Sequence, residues 1–293
     1  MKRLTIFTPT YNRAHILPKL YESLCVQTCK DFEWLIVDDG STDNTREIVE
    51  HWIKEGKVVI RYFYQENRGK MHAQDFAARM TDAELMTCVD SDDELSRPSV
   101  VEDSLSFWEK NHSGDEAEKI CGMISRKCDI LEEGVNLGSS FIGTCSEICR
   151  IYPGDSAIFT VPAILRQYHY PEYDGENFII DQYIYHQIEC KYKYLYHPYC
   201  SQLIEYQNDG YSRNYRRILF SNPMGCREYH AQYIRLKNKN WIKSVICYIS
   251  FSLFIRDHTL FSKSPNLLMT LLLYPLGCLK HLYDCYMLRK EKE

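Results

Sequence analysis

The sequence predicts an α/β protein, with a mostly parallel sheet flanked by helices and a helical appendage at the C-terminus. Two observations carry this. In the first third of the chain, short apolar runs alternate with segments of helical spacing in the order β-α-β-α-β-α-β, with short connections. That order favours parallel strands joined by helices. From Trp241 the texture changes to two strongly apolar stretches, 241–255 and 266–279, bracketed by Lys and Arg. The expected division is one domain over 1–235 and a helical segment over 236–293.

Each element follows from local pattern. Leu4 to Thr8 reads as a first strand that stops at Pro9, a residue suited to strand ends and edges. Ile16 to Val26 has the spacing of an amphipathic helix. Phe32 to Val37 is a buried strand, and Gly40 permits the sharp turn after it. Ser41 or Asp43 is placed to cap a helix reaching about His51. Lys57 to Tyr64 is a third strand and Met71 to Met80 a third helix. Leu85 to Val89 is a fourth strand. Pro98 fits the first turn of a helix to about Lys110, and Lys119 to Ser125 reads as a strand. Residues 129–150 carry no clear period, and Gly154 to Phe159 is a turn entering a helix or a strand.

The fourth strand runs into Asp90-Ser91-Asp92-Asp93-Glu94, four acids in five positions. In an extended chain Asp90 and Asp92 point to the same face. Carboxylates held side by side repel unless a positive group lies between them, and a hard divalent ion suits oxygen ligands. Alone, such a run reads as a solvated acidic turn. Its company favours a site. Thr8 to Arg13, Asp38 to Asp43 and Asn67 to Lys70 also follow strands, and in parallel sheets ligands sit beyond the carboxyl ends of strands.

Composition excludes some alternatives. A net charge of −5 argues against a general nucleic-acid binder. The 13 cysteines include no CxxC pair, so reduced thiols in a cytoplasmic protein are expected and a zinc site is not. The N-terminus enters a strand-like run too short for a signal peptide. Most of the 23 tyrosines crowd between Tyr152 and Tyr233; such surfaces suit sugar rings and equally suit packing.

Thr8-Pro9-Thr10-Tyr11-Asn12-Arg13, Val37-Asp38-Asp39-Gly40-Ser41-Thr42-Asp43 and Val89-Asp90-Ser91-Asp92-Asp93, with a weaker Asn67-Arg68-Gly69-Lys70, resemble the motifs of the family 2 inverting glycosyltransferases of GT-A fold. The resemblance covers about the first hundred residues. It implies a nucleotide-binding half over 1–97, an acceptor half over 98–235, and a nucleotide-sugar donor, a UDP sugar. Thr8, Pro9, Tyr11, Arg13, Asp39, Lys70, Asp90 and Ser91 would bind the donor. Tyr11 would lie against the base and Asp39 would accept from its imide. A Mn2+ or Mg2+ ion on Asp92, with Asp90 and Asp93, would assist departure of the diphosphate.

The segment Tyr170 to Asp181 resembles the family's acceptor segment, in which an acid opens a helix and takes the acceptor proton. Asp181 is the expected base and Glu176 the alternative. The family's Glu-Asp pair is absent here. Arg213, in a segment resembling one that follows in relatives, would reach the diphosphate; an ordinary basic loop is the competing reading. The implied acceptor is a glycan or a lipid-linked glycan, as in cell-surface polysaccharide synthesis. Residues 241–290 are too short in apolar run to span a bilayer, and suit a membrane surface at its inner face or packing on protein. Two other functions fit such a sheet. A sugar-1-phosphate nucleotidyltransferase would need a Gly-rich loop after the first strand, and Thr8 to Arg13 has no glycine. A non-catalytic nucleotide-sugar-binding module would have lost the acids that stand at Asp90, Asp92 and Asp93.

Overall fold

The structure is a computed structural model that describes residues 2–114, 117–129, 137–205, 211–237 and 240–291; the side chains of 211–213 are outside this set. The first half runs β1 (Leu4–Thr10), α1 (Leu17–Cys25), β2 (Phe32–Asp38), α2 (Thr45–Glu55), β3 (Ile60–Tyr64), α3 (Lys70–Met80) and β4 (Leu85–Cys88). This is the alternation expected. Beyond it come β5 (Glu94–Leu95), α4 (Val100–Asn111), β6 (Ile120–Asp129), β7 (Phe141–Gly143), α5 (Cys145–Ile151), β8 (Ser156–Thr160), α6 (Pro162–Leu165), α7 (Gln182–Ile188) and β9 (Lys193–Ile204). Four further helices follow: α8 (Tyr211–Ser221), α9 (Pro223–Arg235), α10 (Trp241–Phe254) and α11 (Leu267–Lys290).

The strands form one mixed sheet in the order β3-β2-β1-β4-β8-β6-β9-β5, with β7 on β9. The β3-β2-β1-β4 block is parallel throughout. Pro9 lies inside β1 rather than ending it. The ladder with β4 stops at Phe7 and Cys88 while the ladder with β2 continues to Thr10, so the proline's missing N–H falls where one side of the strand is already unpaired. On the other side of β4, β8 runs antiparallel to both β4 and β6. Strand β6 is therefore parallel to β4, and their carboxyl ends share one edge. Gly122 lets β6 and β8 meet closely: a Cβ there would sit 1.9 Å from the Phe159 carbonyl oxygen.

Strand β2 is buried almost throughout, which explains its continuous apolar run. Trp34 packs with Tyr21 and Trp52, the latter two stacked at 4.3 Å between ring centres. Helix α2 runs a turn beyond the expected His51 and ends at Gly56, whose φ of 67° provides the left-handed C-cap. Residues 156–160 form a strand. The region without clear period contains β7 and α5, the latter opened by a Thr144–Glu147 capping box; residues 130–136 lie outside the described set.

Two compact units arise, one of Met1–His169 with Ile184–Gln207, the other of Tyr170–Tyr183 with Asn208–Glu293. The second takes in the expected appendage together with α8, α9 and residues 170–183. Its core joins Ile234, Val245, Tyr248 and Ile249 with Met269, Leu273 and Tyr274. Helix α11 passes through Pro275 and continues well past Leu279. Proline removes one helical hydrogen bond, but the packed side of α11 holds the path: Gly277 lies so close to α10 that a Cβ would meet Ile249 at 2.3 Å. The expectation of reduced thiols is corrected at one pair, since Cys128 and Cys200 form a disulfide between adjacent strands.

One buried and two half-buried imidazoles, His186, His197 and His230, give stability a definite pH dependence. Burial lowers the pKa of His186 to about 4 and of His197 to about 4, and burial with Lys280 and Lys243 lowers that of His230 to about 3. The unfolded groups titrate near 6.5, so on acidification the unfolded chain binds protons first. Stability should fall as the pH drops from about 6.5 toward 4, by on the order of 1 kcal/mol per histidine at pH 5. Urea unfolding at pH 7 and pH 5 measures this. His230→Phe, which can keep the ring stacked on Phe251, should remove part of the slope; equal stability at both pH values would contradict the assignment.

Candidate active site

The parallel directions of β1, β2, β4 and β6 bring their carboxyl ends to one edge of the sheet, and the polar loops of the sequence follow three of them. The loop after β1 turns at Asn12, whose φ is 53°. Asparagine tolerates this left-handed conformation better than most residues. Its side-chain oxygen accepts from the backbone N–H of Thr42 and Asp43 at 2.8 and 3.2 Å, and its own N–H donates to Ser41 Oγ at 2.8 Å. The first two loops are thereby locked together. Asp43 Oδ1 accepts from the Thr45 N–H at the start of α2.

Asp38 and Asp39 perform different tasks. Asp38 is buried and accepts from the Ser41 N–H at 2.7 Å and the Tyr62 hydroxyl at 2.5 Å, which shapes the turn at Gly40. Asp39 accepts from Gln65 Nε2 at 2.7 Å and from the N–H groups of Arg68 and Gly69, both at 2.8 Å. These bonds draw the loop before α3 onto the end of β2. A carboxylate offers about four acceptor sites, so Asp39 retains capacity for one further donor.

The acid run sits where β4 ends. Lys70, the first residue of α3, reaches Asp90 Oδ1 at 2.5 Å. Lys127, near the end of β6, reaches Asp93 Oδ2 at 2.6 Å and Asp90 Oδ2 at 3.2 Å. Burial works against ionisation of Asp90, but Lys70 and Lys127 outweigh it and hold the carboxyl well below its usual range. Burial and then the Asp90 charge raise Asp92, with Arg13 and Lys70 opposing. Asp93 is only 5% exposed, and burial pushes it up to about 6 against the pull of Lys127. Burial works against the charge on Lys127, yet the Asp90 and Asp93 charges keep its pKa above the ordinary value. Asp92 is the acid of the three with no ion pair among the described residues. No group of three His, Cys, Asp or Glu side chains among the described residues could hold a metal unaided. Hard-ion sites do, however, combine one or two carboxylates with substrate phosphates, and Asp92 fits that arrangement.

Most of the expected donor residues meet at this edge. Tyr11 is 49% exposed, Pro9 and Arg13 are partly exposed, and Ser91 is buried in the acid turn. Thr8 is 0% exposed, and its hydroxyl accepts from the Trp34 indole N–H at 2.9 Å, which joins β1 to β2. Lys127 and Asn12 are the residues that sequence reasoning missed. A positive-φ asparagine has a weak sequence signal; a lone lysine in a strand has none.

In the other unit, Asp181 is exposed at the start of α7 and its Oδ1 accepts from the Gln182 N–H at 2.8 Å. Glu176 anchors α9: its oxygens accept from the N–H groups of Met224 and Gly225 at 2.7 and 2.8 Å. Asn222 accepts from the N–H groups of Asn177 and Phe178 at 2.8 and 3.1 Å, tying the same two segments together. Arg213 falls in α8, and its side chain lies outside the described residues.

The lysine bridge predicts a specific stability pattern. Lys127→Met leaves Asp93 buried beside two other acids, and breaking such a pair costs about 3–5 kcal/mol. Lys127→Met with Asp93→Asn should recover much of that loss in urea unfolding, a coupling that a double-mutant cycle measures. Additive losses would show that the pair is not coupled.

With this geometry in view, known proteins offer a context. The family model described as Glycosyl transferase family 2 matches residues 5–117. Validoxylamine A glucosyltransferase of Streptomyces hygroscopicus subsp. jinggangensis is 35% identical over 121 residues, 40% of this chain and 27% of that protein. The chain thus spans little more than a quarter of the length of that curated relative. Among solved structures, Staphylococcus aureus TarS 1–349 in complex with UDP-GlcNAc matches with a TM-score of 0.63 at 18% identity, covering 97% of this chain and 89% of that one. The mannosyltransferase PcManGT from Pyrobaculum calidifontis, in complex with GDP-Man and Mn2+, matches with a TM-score of 0.57 at 16% identity over 96% and 87%. These structural likenesses are likenesses of fold, the GT-A arrangement. The likeness to the Glycosyl transferase family 2 model thus rests on residues 5–117 of the 293.

Proposed function

We propose that the chain is an inverting glycosyltransferase that moves a sugar from a nucleotide sugar, a UDP sugar, to a glycan or lipid-linked acceptor. The observation that carries this reading is the meeting of three interlocked polar loops and an acid cluster at the carboxyl edge of one parallel block. The family match and the UDP-GlcNAc complex of TarS support it. Tyr11 offers an exposed aromatic face to the base, and the remaining acceptor site of Asp39 suits an imide N–H. Asp92 would hold a divalent ion together with the donor's phosphates; such an ion supplies Lewis-acid charge neutralisation. The Mn2+ in the PcManGT complex is consistent with this.

In the transfer, the acceptor hydroxyl oxygen bonds to the anomeric carbon as the bond to the diphosphate oxygen breaks, and Asp181 takes the hydroxyl proton. Asp181 is preferred over Glu176 because it is exposed at the start of α7, whereas Glu176 is half-buried against the first turn of α9.

A donor panel of UDP-GlcNAc, UDP-glucose and GDP-mannose with Mn2+, read by nucleotide release and product mass, tests the activity. Tight nucleotide binding without turnover of any donor would favour a binding module. Asp92→Ala should lower activity by about a hundredfold or more and abolish Mn2+ binding in the presence of UDP, read by calorimetry; unchanged Mn2+ binding would refute the ligand assignment. Asp181→Asn should keep donor affinity while transfer falls by about 10²–10⁴-fold. Loss of donor binding in that variant would mean that Asp181 is structural.

A further inference from the structure

Helix α11 has one side packed and one side bare. Met269, Leu273 and Tyr274 face α9 and α10, and Thr270, Gly277 and Asp284 are buried. Every exposed position from Leu267 to Tyr286 is leucine, proline or tyrosine. Leu268, Leu272, Leu279, Leu282 and Tyr286 are each more than 60% exposed. At 3.6 residues per turn the exposed positions cover about half the helix circumference. This is broader than the seam two paired helices share, and from Leu267 to Tyr286 it runs about 30 Å along the helix. Soluble monomers rarely leave so large an apolar face uncovered.

Charge decides what covers it. From Thr259 to Lys290 the sequence has one acid, Asp284. It is 3% exposed, bonded to Ser250 and paired with Lys280. Lys263 lies exposed before the face, and Arg289 and Lys290 lie exposed after it. Glu291, just beyond, is engaged by Arg216. Two copies joined through this face would bring cationic ends together with no free carboxylate opposite among the described residues, in either helix direction. An anionic lipid surface meets both properties: acyl chains take the leucines, and headgroups take the cations. Tyr283 and Tyr286 suit the boundary between the two. No helix among the described residues is long and apolar enough to cross a membrane, so the contact lies along the surface.

We propose that the bare face of α11 docks the protein on an anionic lipid bilayer, with Lys263, Arg289 and Lys290 reading the headgroup charge. The proposal is independent of the transfer reaction, so either can fail alone. Flotation of the full chain with phosphatidylglycerol-containing vesicles, pure phosphatidylcholine vesicles and no vesicles tests it, with light scattering for mass. The protein should float with anionic vesicles at low salt, and much less with neutral vesicles or at high salt. L272S/L279S should abolish flotation while leaving thermal unfolding intact. K263Q/R289Q/K290Q should weaken anionic binding roughly a hundredfold. No flotation of the wild type would overturn the proposal, as would flotation unchanged in L272S/L279S. A wild-type dimer that does not float, and that L272S/L279S converts to monomer, would assign the face to a second copy instead.

Discussion

Three carboxylates within four positions, two of them sharing Lys127, set the electrostatic condition that the site has to meet. Two unit charges about 4 Å apart interact by about 4 kcal/mol near a protein surface, a large share of the 5–15 kcal/mol that holds a domain folded. Asp93 is nearly sealed from water, so solvent does little to relieve it. Lys127 supplies the missing charge from β6 and Lys70 supplies it from the first turn of α3. The arrangement works because β6 is parallel to β4, two strands away across β8. With Asp90 and Asp93 taken up, Asp92 is the acid of the three with no ion pair among the described residues.

The loops around this cluster are held by buried or partly buried side-chain acceptors more than by regular structure. Asn12 ties the β1 loop to the β2 loop, Asp38 shapes the turn, and Asp39 draws in the segment before α3. Each replaces water on a backbone N–H that a tight loop would otherwise leave unpaired. Loops held this way are ordered by their own contacts, and such pre-ordering lowers the cost of whatever binding a surface supports. The same device recurs in the helical unit, where Glu176 and Asn222 join the segment before α7 to the start of α9.

Much of the fold was legible because it rests on local periodicity. The four N-terminal strands and three helices appear where apolar spacing puts them, with ends shifted by a few residues. The acidic and polar loops at strand ends were legible for the same reason, since a strand followed by a polar turn is a local pattern. Strand β7 and helix α5 were not, because their pairing and packing partners are remote in sequence: β7 exists by bonding to β9. The apolar run of 266–279 ends before α11 does, because the later turns carry Lys280, His281 and Asp284; packing on α10 and the Ser250–Asp284 bond keep them helical.

The sequence by itself determined which residue types stand at the strand ends: the acids at 90, 92 and 93, the aromatic at 11 and the lysine at 70. It also determined that the C-terminal stretch is apolar and poor in acid. Only the tertiary structure decided how those residues divide their tasks. Thr8 turned inward because its partner is Trp34. Asp90 and Asp93 became lysine-paired because β6 arrived beside them, and Glu176 became an anchor because α9 begins against it. The apolar C-terminal stretch became a face because α10 covers only one side of α11. In each case the deciding contact joins positions far apart along the chain, and charge and burial at a residue are set by those neighbours in space.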